Sequence, residues 1–436
     1  MTTVAEQQVD AATLRRSLIG GSIGVLVHWY EWAIYAYLAS TIAVVFFPEK
    51  DATAGLLATF GVFAVSFALR PIGAFVFGHL GDRIGRKTTL TVVILMMSGA
   101  TFILGLLPSY GTIGLLAPIL LIVCRLVQGL AAGGEFGSAA AYMAEYSPRR
   151  HRGFGVSWIE VGSLMGFLLA SLTVVALNAF VTDDQIHSWG WRIPFLITGV
   201  LGVIGFYIRQ RLEDTPEFQE LEEKDKAQGS PVKEVLRRHP RQLLQAAGMQ
   251  ILMNVTFYVV LVYLLSFQES ELGYTAGDAA TFSTVASIVA MILVPLVGAL
   301  SDRVGRKPVM ITGGVLLLVL AIPAFLLMRN GTYMSGMLAT CLLAALLTLS
   351  LGVHASAAAE LFPTRARQSG LSISYSLTAA IFVGTVPYVL TWLIAATGNT
   401  LMPAFYLMGA AVLGLLALAT MPETRGADLS RVEGTR

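Results

Sequence analysis

The chain has 436 residues, 55% of them hydrophobic and 13% charged, where an average soluble domain carries about 25% charged residues. The mean hydropathy of +0.71 and the long apolar blocks exclude an ordinary soluble enzyme and leave a multi-span membrane protein. The net charge of +2 says nothing about partners, and Cys124 and Cys341 both lie inside apolar blocks, without the spacing of a disulfide framework, a catalytic pair or a metal site.

In chain order the apolar blocks fall at roughly 18–46, 54–80, 88–107, 113–144, 154–178, 190–209, 242–268, 278–300, 308–328, 333–357, 370–396 and 401–421. About 20 apolar residues cross the hydrocarbon core as a helix, and these blocks are too long and too uniformly apolar for barrel strands. The predicted fold class is an all-α membrane protein with twelve transmembrane helices. The first block exceeds a signal-peptide core and lacks a small-residue cleavage site, so it reads as a retained first helix. Twelve spans put both termini on one side. Of the 29 Lys and Arg residues, 24 sit at one set of span ends, while Lys50, Arg192 and Arg329 sit at the other. The positive-inside bias then predicts cytoplasmic termini in a bacterial-type cell membrane.

The sequence repeats itself. Gly78-His-Leu-Gly-Asp-Arg-Ile-Gly-Arg-Lys87 follows the second block and Gly298-Ala-Leu-Ser-Asp-Arg-Val-Gly-Arg-Lys307 follows the eighth, with seven of ten positions identical. Glu145-Tyr-Ser-Pro-Arg-Arg-His-Arg152 and Glu360-Leu-Phe-Pro-Thr-Arg-Ala-Arg367 form a second echo after the fourth and tenth. The predicted organisation is a six-helix half over 1–209, a cytoplasmic linker over 210–241, a second six-helix half over 242–421 and a tail over 422–436. Parallel six-helix repeats place a solute site between the halves near mid-membrane. In the repeated turn, Gly78, Gly85 and Gly298 permit tight turning and close helix approach. Asp82 and Asp302 can pair with Arg83, Arg86, Arg303 or Arg306, or with a neighbouring helix N-terminus, as a releasable gate.

Other stretches carry a resemblance: Arg70-Pro71, Arg125-Leu-Val-Gln128-Gly129 running into Gly133-Gly134-Glu135, Trp191-Arg-Ile-Pro-Phe195, Ile208-Arg-Gln-Arg-Leu-Glu-Asp-Thr-Pro-Glu-Phe218, Glu360-Leu-Phe-Pro363 and Pro422-Glu-Thr-Arg-Gly426. Together with the turn motif and in this order, they resemble the major facilitator superfamily, and more narrowly its metabolite:proton symporter family, over nearly the whole chain. The resemblance implies alternating access and proton-coupled uptake of small polar metabolites, either osmolytes such as proline and betaine or organic acids such as 2-oxoglutarate, citrate and shikimate. Some osmosensing members carry a C-terminal coiled coil; this chain runs about 15 residues past its last block, so that device is expected to be absent.

Charge inside the bilayer costs at least about 2.5–3.5 kcal/mol per residue and marks function by default. His28, Glu31 and Tyr35 share one face of the first helix, and Arg125, Gln128 and Glu135 form a stripe on the fourth. Glu160 sits in the fifth beside Gly162 and Gly166. The predicted proton-coupling set is Glu31 first, then Glu160, with His28, Arg125 and Glu135. The competing reading is a static buried ion pair or polar network. The second half offers His354, with Gln250, Asn254, Tyr258 and Tyr375 as neutral polar groups; with Tyr35, Arg125 and Gln128 they form the predicted substrate-binding set. Where the symporter family shows E-W-[FY]-D-F, this chain reads His28-Trp29-Tyr30-Glu31-Trp32, so a residue that titrates near neutrality replaces the first acid.

A di- or tricarboxylate wants two basic partners. Arg125 reads as the only central one, with Arg70 nearer the cytoplasmic end, which tilts the expected solute towards a zwitterion or monocarboxylate. Trp29, Tyr30, Trp32, Tyr35 and Tyr37 can add cation–π contacts or simply pack and anchor the helix. The alternatives are a di- or tricarboxylate symporter, such as one for 2-oxoglutarate or citrate, and a multidrug exporter on the same fold. An enzyme is not expected, since no phosphate-binding loop, metal cluster or nucleophile–base pair appears. The expected partners are a small solute, protons and the lipid bilayer, with no cofactor, metal or nucleic acid and a functional monomer.

Overall fold

The computed structural model describes residues 25–47, 51–73, 76–77, 86–134, 140, 143–144, 147–211 and 231–427, nearly all helical and without a strand among them. Lipid offers the backbone no hydrogen-bonding partner, so each apolar block closes its own ladder as a helix. The spans are α1 (residues 25–37, then Ala39–Phe46), α2 (Ala52–Gly73), α3 (Arg86–Leu106), α4 (Leu116–Ala131), α5 (Arg152–Phe180) and α6 (Arg192–Arg211). They continue with α7 (Pro240–Leu272), α8 (Ala276–Val304), α9 (Arg306–Met328), α10 (Tyr333–Leu361), α11 (Ser369–Thr397) and α12 (Met402–Thr420). Among the described residues, eight helices are long and apolar enough to span unaided. A ninth crossing joins Asp183–Gly190 to α6 through a 46° bend, and the apolar parts of α3 and α4 are shorter.

Local sequence sets the ends on the side opposite the repeated motif. Asp51 caps α2 by accepting from the Thr53 N–H at 2.9 Å, and Thr275 caps α8 by accepting from the Asp278 N–H at 3.1 Å. Gly273, at φ 72°, ends α7 in the left-handed conformation that only glycine adopts without strain. The helix therefore runs on to Leu272, four residues beyond the apolar block, so Glu269 belongs to it. α7 also loosens into a π-helical turn over Tyr258–Tyr263, and α11 does so over Ala379–Val383. α10 breaks at Gly352 and resumes as His354–Leu361. Such irregular turns recur where helices line functional sites.

The first six spans meet the last six most extensively along α5 and α8. Thr284 hydrogen-bonds Ser171 at 2.9 Å midway, and Gly298 faces Gly153 at the motif side. A Cβ on Gly298 would lie 2.7 Å from the Gly153 carbonyl oxygen, so the missing side chain lets the two backbones touch. α7 carries no lipid-facing side: 94% of its apolar stretch is buried, against 39–67% in the other seven unaided spans. It runs through the middle of the molecule. The lipid-facing surfaces elsewhere carry Val, Leu and Ile, as at Leu106, Leu116, Val203, Leu296 and Leu416.

Within the first six spans, α2 crosses α4 at Gly129, where an added Cβ would sit 1.9 Å from the Ser66 carbonyl oxygen. Gly129→Ala is therefore expected to destabilise the protein by about 1–3 kcal/mol through overpacking. Gly99→Ala meets nothing within 4 Å and should be neutral or mildly stabilising. Thermal unfolding of the two variants in detergent checks this contrast; equal midpoints would refute it.

Candidate functional site

Glu31 is 2% exposed and points from α1 into α3. Ser98 donates to its Oε1 at 2.6 Å, and the Thr101 hydroxyl lies 3.2 Å from Oε2. Gln128 Nε2 donates to Thr101 Oγ1 at 2.6 Å, and Arg125 Nη1 donates to Gln128 Oε1 at 2.8 Å. Glu31 and Arg125 are thus joined across three helices through Gln128 and Thr101. The Arg125 guanidinium lies 3.5 Å from the Tyr35 ring centroid, and the Tyr35 hydroxyl donates to the Thr59 carbonyl at 2.9 Å. His28 is half-buried beside Trp29 and, with Glu31, lines a small cleft between α1, α3 and α6. The shared face read from spacing exists, but it turns towards α3 as much as towards α4.

A second cluster bridges the two sets of spans. His354, at the resumed part of α10, sets Nε2 3.1 Å from Glu160 Oε1 on α5 and Nδ1 3.2 Å from Gln250 Oε1 on α7. His354 thus bridges α5 and α7, with one ring nitrogen on the Glu160 carboxylate and the other on the Gln250 amide. Asn254 donates to Thr378 at 3.2 Å, tying α7 to α11. Tyr375 on α11 faces both Arg70 and Glu160. Tyr258 stands in the π-helical turn of α7 among Trp29, Phe63, Phe67 and Phe257.

Both ends of this interface are tied. Opposite the motif side, Ser40 on α1 donates to Glu269 Oε2 on α7 at 2.7 Å, and Ser283 on α8 donates to the Tyr37 hydroxyl at 2.7 Å. On the motif side, Asp302 accepts from the Gly153 and Phe154 N–H groups at 2.8 and 2.9 Å. A carboxylate on the first turn of a helix meets both unsatisfied N–H donors and the positive dipole end. Arg306 pairs with Asp302 at 2.8 Å and grips Glu360 with Nε and Nη2, each at 3.2 Å. Arg152 reaches the same carboxylate at 3.1 Å, and Thr424 donates to it at 3.0 Å. Arg303, by contrast, is exposed, so of the two repeated arginines near Asp302 it is Arg306 that enters the gate. Gly78, Asp82, Arg83, Gly85 and Glu135 lie outside the described residues, as does the Arg86 side chain.

The model of the Major Facilitator Superfamily matches residues 21–349 and, overlapping that match, residues 246–434, so together the matches take in nearly the whole chain. The chain belongs to the Major Facilitator Superfamily. It is 40% identical over 434 residues to the proline/betaine transporter of Escherichia coli K12, covering 97% of this chain and 86% of that one. A glycine betaine/proline/ectoine/pipecolic acid transporter of Dickeya dadantii is 37% identical over 430 residues, with the same coverages. The fold is that of the Escherichia coli xylose transporter in a partially occluded inward-open conformation, at TM-score 0.75 and 18% identity over 96% of this chain and 100% of that one. A D-xylose–proton symporter structure matches at TM-score 0.73 and 19% identity, over 94% and 99% of the two chains.

Within this superfamily framework, several polar residues escaped the reading of the sequence. Ser98 and Thr101 gave no signal, because hydroxyls in apolar helices usually bond their own backbone, as Thr101 also does to Met97 at 2.9 Å. Glu269 fell one residue past the apolar block. Glu269, Glu360 and Arg306 enter the interface from the last six spans, each near a span end. Arg70 needs a larger correction. It is 4% exposed, and its guanidinium lies 4.4 Å from the Trp32 ring centroid, while Arg125 lies 5.5 Å from the same ring. Arg125 is thus not the only basic residue at the centre.

Proposed function

We propose that this chain is a proton-coupled symporter that takes up a small zwitterion of the proline or betaine class by alternating access. The observation that carries the reading is the buried Glu31 carboxylate, hydrogen-bonded to Ser98 and Thr101 and relayed through Gln128 to Arg125. A buried carboxylate linked to a guanidinium through a hydrogen-bond chain changes its interactions when it takes a proton, and a group that does so differently in two conformations couples protons to the switch between them. Glu160, held against His354 across the interface, is assigned as the second carrier, and His28 stands in the same cleft as Glu31. Identities of 40% and 37% to transporters named for proline and betaine support the substrate class. Tyr35, Arg125, Gln128, Gln250, Asn254, Tyr258, His354 and Tyr375 line the route between the two tied ends.

In this reading residues 1–209 and 242–421 are the two moving halves, 210–241 links them and 422–436 is the tail. The motif side is cytoplasmic, and the protein works as a monomer. The first copy of the repeated motif carries Asp82, Arg83 and Arg86 at the sequence positions of Asp302, Arg303 and Arg306, and it is assigned the same gating role. One observation favours a second solute class: two guanidiniums flank Trp32, which suits a dicarboxylate. Arg125, however, has Glu31 to offset its charge, which leaves a single surplus cation for a single carboxylate.

The test is substrate-induced proton movement in liposomes holding the purified protein, read with a lumenal pH dye. Proline and glycine betaine are expected to acidify the lumen, with 2-oxoglutarate and citrate silent. Acidification by citrate or 2-oxoglutarate alone would overturn the substrate class, and uptake of betaine without proton movement would overturn the coupling.

A further inference from the structure

Buried hydrogen-bond donors without partners are rare, and each one costs the protein stability. Four groups of this kind gather around one spot at the interface: Arg70 Nε and Nη2, the Trp32 indole Nε1 and the Tyr258 hydroxyl, all buried and without a partner among the described residues. They are neighbours. The Arg70 guanidinium lies 4.4 Å from the Trp32 ring and 4.0 Å from the Phe67 ring. Tyr258 meets Phe67 edge-on at 5.7 Å and stands within electrostatic reach of Arg70. Arg70 and Trp32 come from α2 and α1, and Tyr258 comes from the π-helical turn of α7, so the spot is shared between the two sets of spans.

Among the described residues no carboxylate pairs with Arg70, whereas Glu160 faces His354 and Glu360 holds Arg152 and Arg306. A planar guanidinium with its Nε and a terminal N–H group free matches the two oxygens of a carboxylate. Next to it, beyond Tyr258, three more rings converge. Trp29 lies 5.2 Å from Phe257, 5.6 Å from Phe167 and 6.3 Å from Tyr258, centroid to centroid. Their faces suit a cationic head rather than a second anion.

We infer that Arg70 and Tyr258 form the carboxylate subsite of the transported zwitterion, with its ammonium end directed at the Trp29–Phe167–Phe257 rings. Arg70 supplies the charge and the paired N–H groups, Tyr258 supplies a hydroxyl from the opposite side of the interface, and Trp32 fixes the guanidinium plane by stacking. Arg125 also leaves Nε and Nη2 unpaired among the described residues, but its Nη1 is tied to Gln128 and through Thr101 to Glu31, and Tyr35 covers its face. A solute held by both sets of spans also bears directly on their relative motion. The assignment rests on the symport reading above, but binding can be measured without transport or protons.

The experiment is calorimetric binding of glycine betaine and of choline to purified protein in nanodiscs. Choline keeps the trimethylammonium group and has a hydroxyl in place of the carboxylate. The wild type should prefer betaine by about 30-fold or more, the scale of a lost charge-assisted hydrogen-bond pair. Arg70→Gln should lower betaine affinity to the choline level and leave choline unchanged. Arg70→Lys should recover part of the preference, and Tyr258→Phe should lower betaine binding about fivefold without touching choline. If Arg70→Gln does not fold, the lysine and Tyr258→Phe variants decide. A betaine preference untouched in the folded variants overturns the subsite and leaves the symport reading standing. A wild type that ignores betaine and proline but binds lactate through Arg70 overturns the zwitterion and leaves the carboxylate subsite standing.

Discussion

Glu31→Gln should abolish uphill uptake while leaving exchange intact. The amide has the shape of the carboxylate, so the site can refill its bonds. Ser98 still donates to the retained oxygen, the new NH2 group donates to Thr101, and Thr101 turns its own proton to the Met97 carbonyl 2.9 Å away. Packing and fold are therefore expected to survive. What the variant loses is the ability to carry a proton in one conformation and release it in the other. A carrier that no longer distinguishes its states by protonation gains nothing from a proton gradient. In proteoliposomes with an imposed pH gradient, the inside-to-outside ratio of labelled betaine should fall to about one, while counterflow against unlabelled betaine proceeds near the wild-type rate. Normal accumulation by the variant would remove Glu31 from the coupling step. Loss of counterflow as well would show that the carboxylate is needed for movement itself.

The sequence is most informative where chemistry contradicts its surroundings. Glu31, Arg125, Glu160 and His354 stand out because each is polar within an apolar block, and the structure gathers them into two clusters. The repeated turn is legible for a different reason: its second copy reuses Asp302 and Arg306 in a definite geometry, with the aspartate on the first turn of α5 and the arginine on Glu360. Partners contributed by other helices leave no trace in linear order. Nothing in the spacing of Ser98 and Thr101 says that α3 will face Glu31, and nothing local says that Glu269 will meet Ser40.

Arg70 shows how depth read from chain position misleads. Side chains on a helix lean towards its N-terminus. α2 begins opposite the motif side, so a residue near its motif-side end leans back towards mid-membrane. Arg70 therefore reaches Trp32 although its Cα lies near the end of the span. Glu160 sits on α5, which runs the other way, and leans towards the motif side, where His354 meets it. The same rule places both residues in the interface from opposite starting depths.

Glu360→Ala is the second large effect expected, and it should act on one conformation only. Glu360 is 3% exposed and holds two guanidiniums that are themselves buried, Arg152 at 3.1 Å and Arg306 at 3.2 Å, with Thr424 donating to the Oε2 that also accepts from Arg306 Nε. Removing it leaves Asp302 as the remaining carboxylate among these groups. Breaking a buried pair by deleting one partner costs about 3–5 kcal/mol, because the other charge is left without compensation. Arg152 belongs to α5, and Arg306 and Glu360 to α9 and α10, so the penalty falls on the arrangement in which the two sets of spans meet on the motif side. Parting them there gives both arginines access to water and relieves most of it. The closed state should lose about 100-fold or more in population relative to the state open on that side. Spin labels at the exposed positions Arg150 and Arg303, in a background with Cys124 and Cys341 replaced, should report a longer distance in Glu360→Ala than in the parent. Glu360→Gln, which keeps hydrogen bonds and loses the charge, should fall between the two. An unchanged distance distribution in Glu360→Ala would mean that the Asp302 contacts with the α5 N-terminus and the Gly153–Gly298 approach hold the motif side shut without the ion pairs.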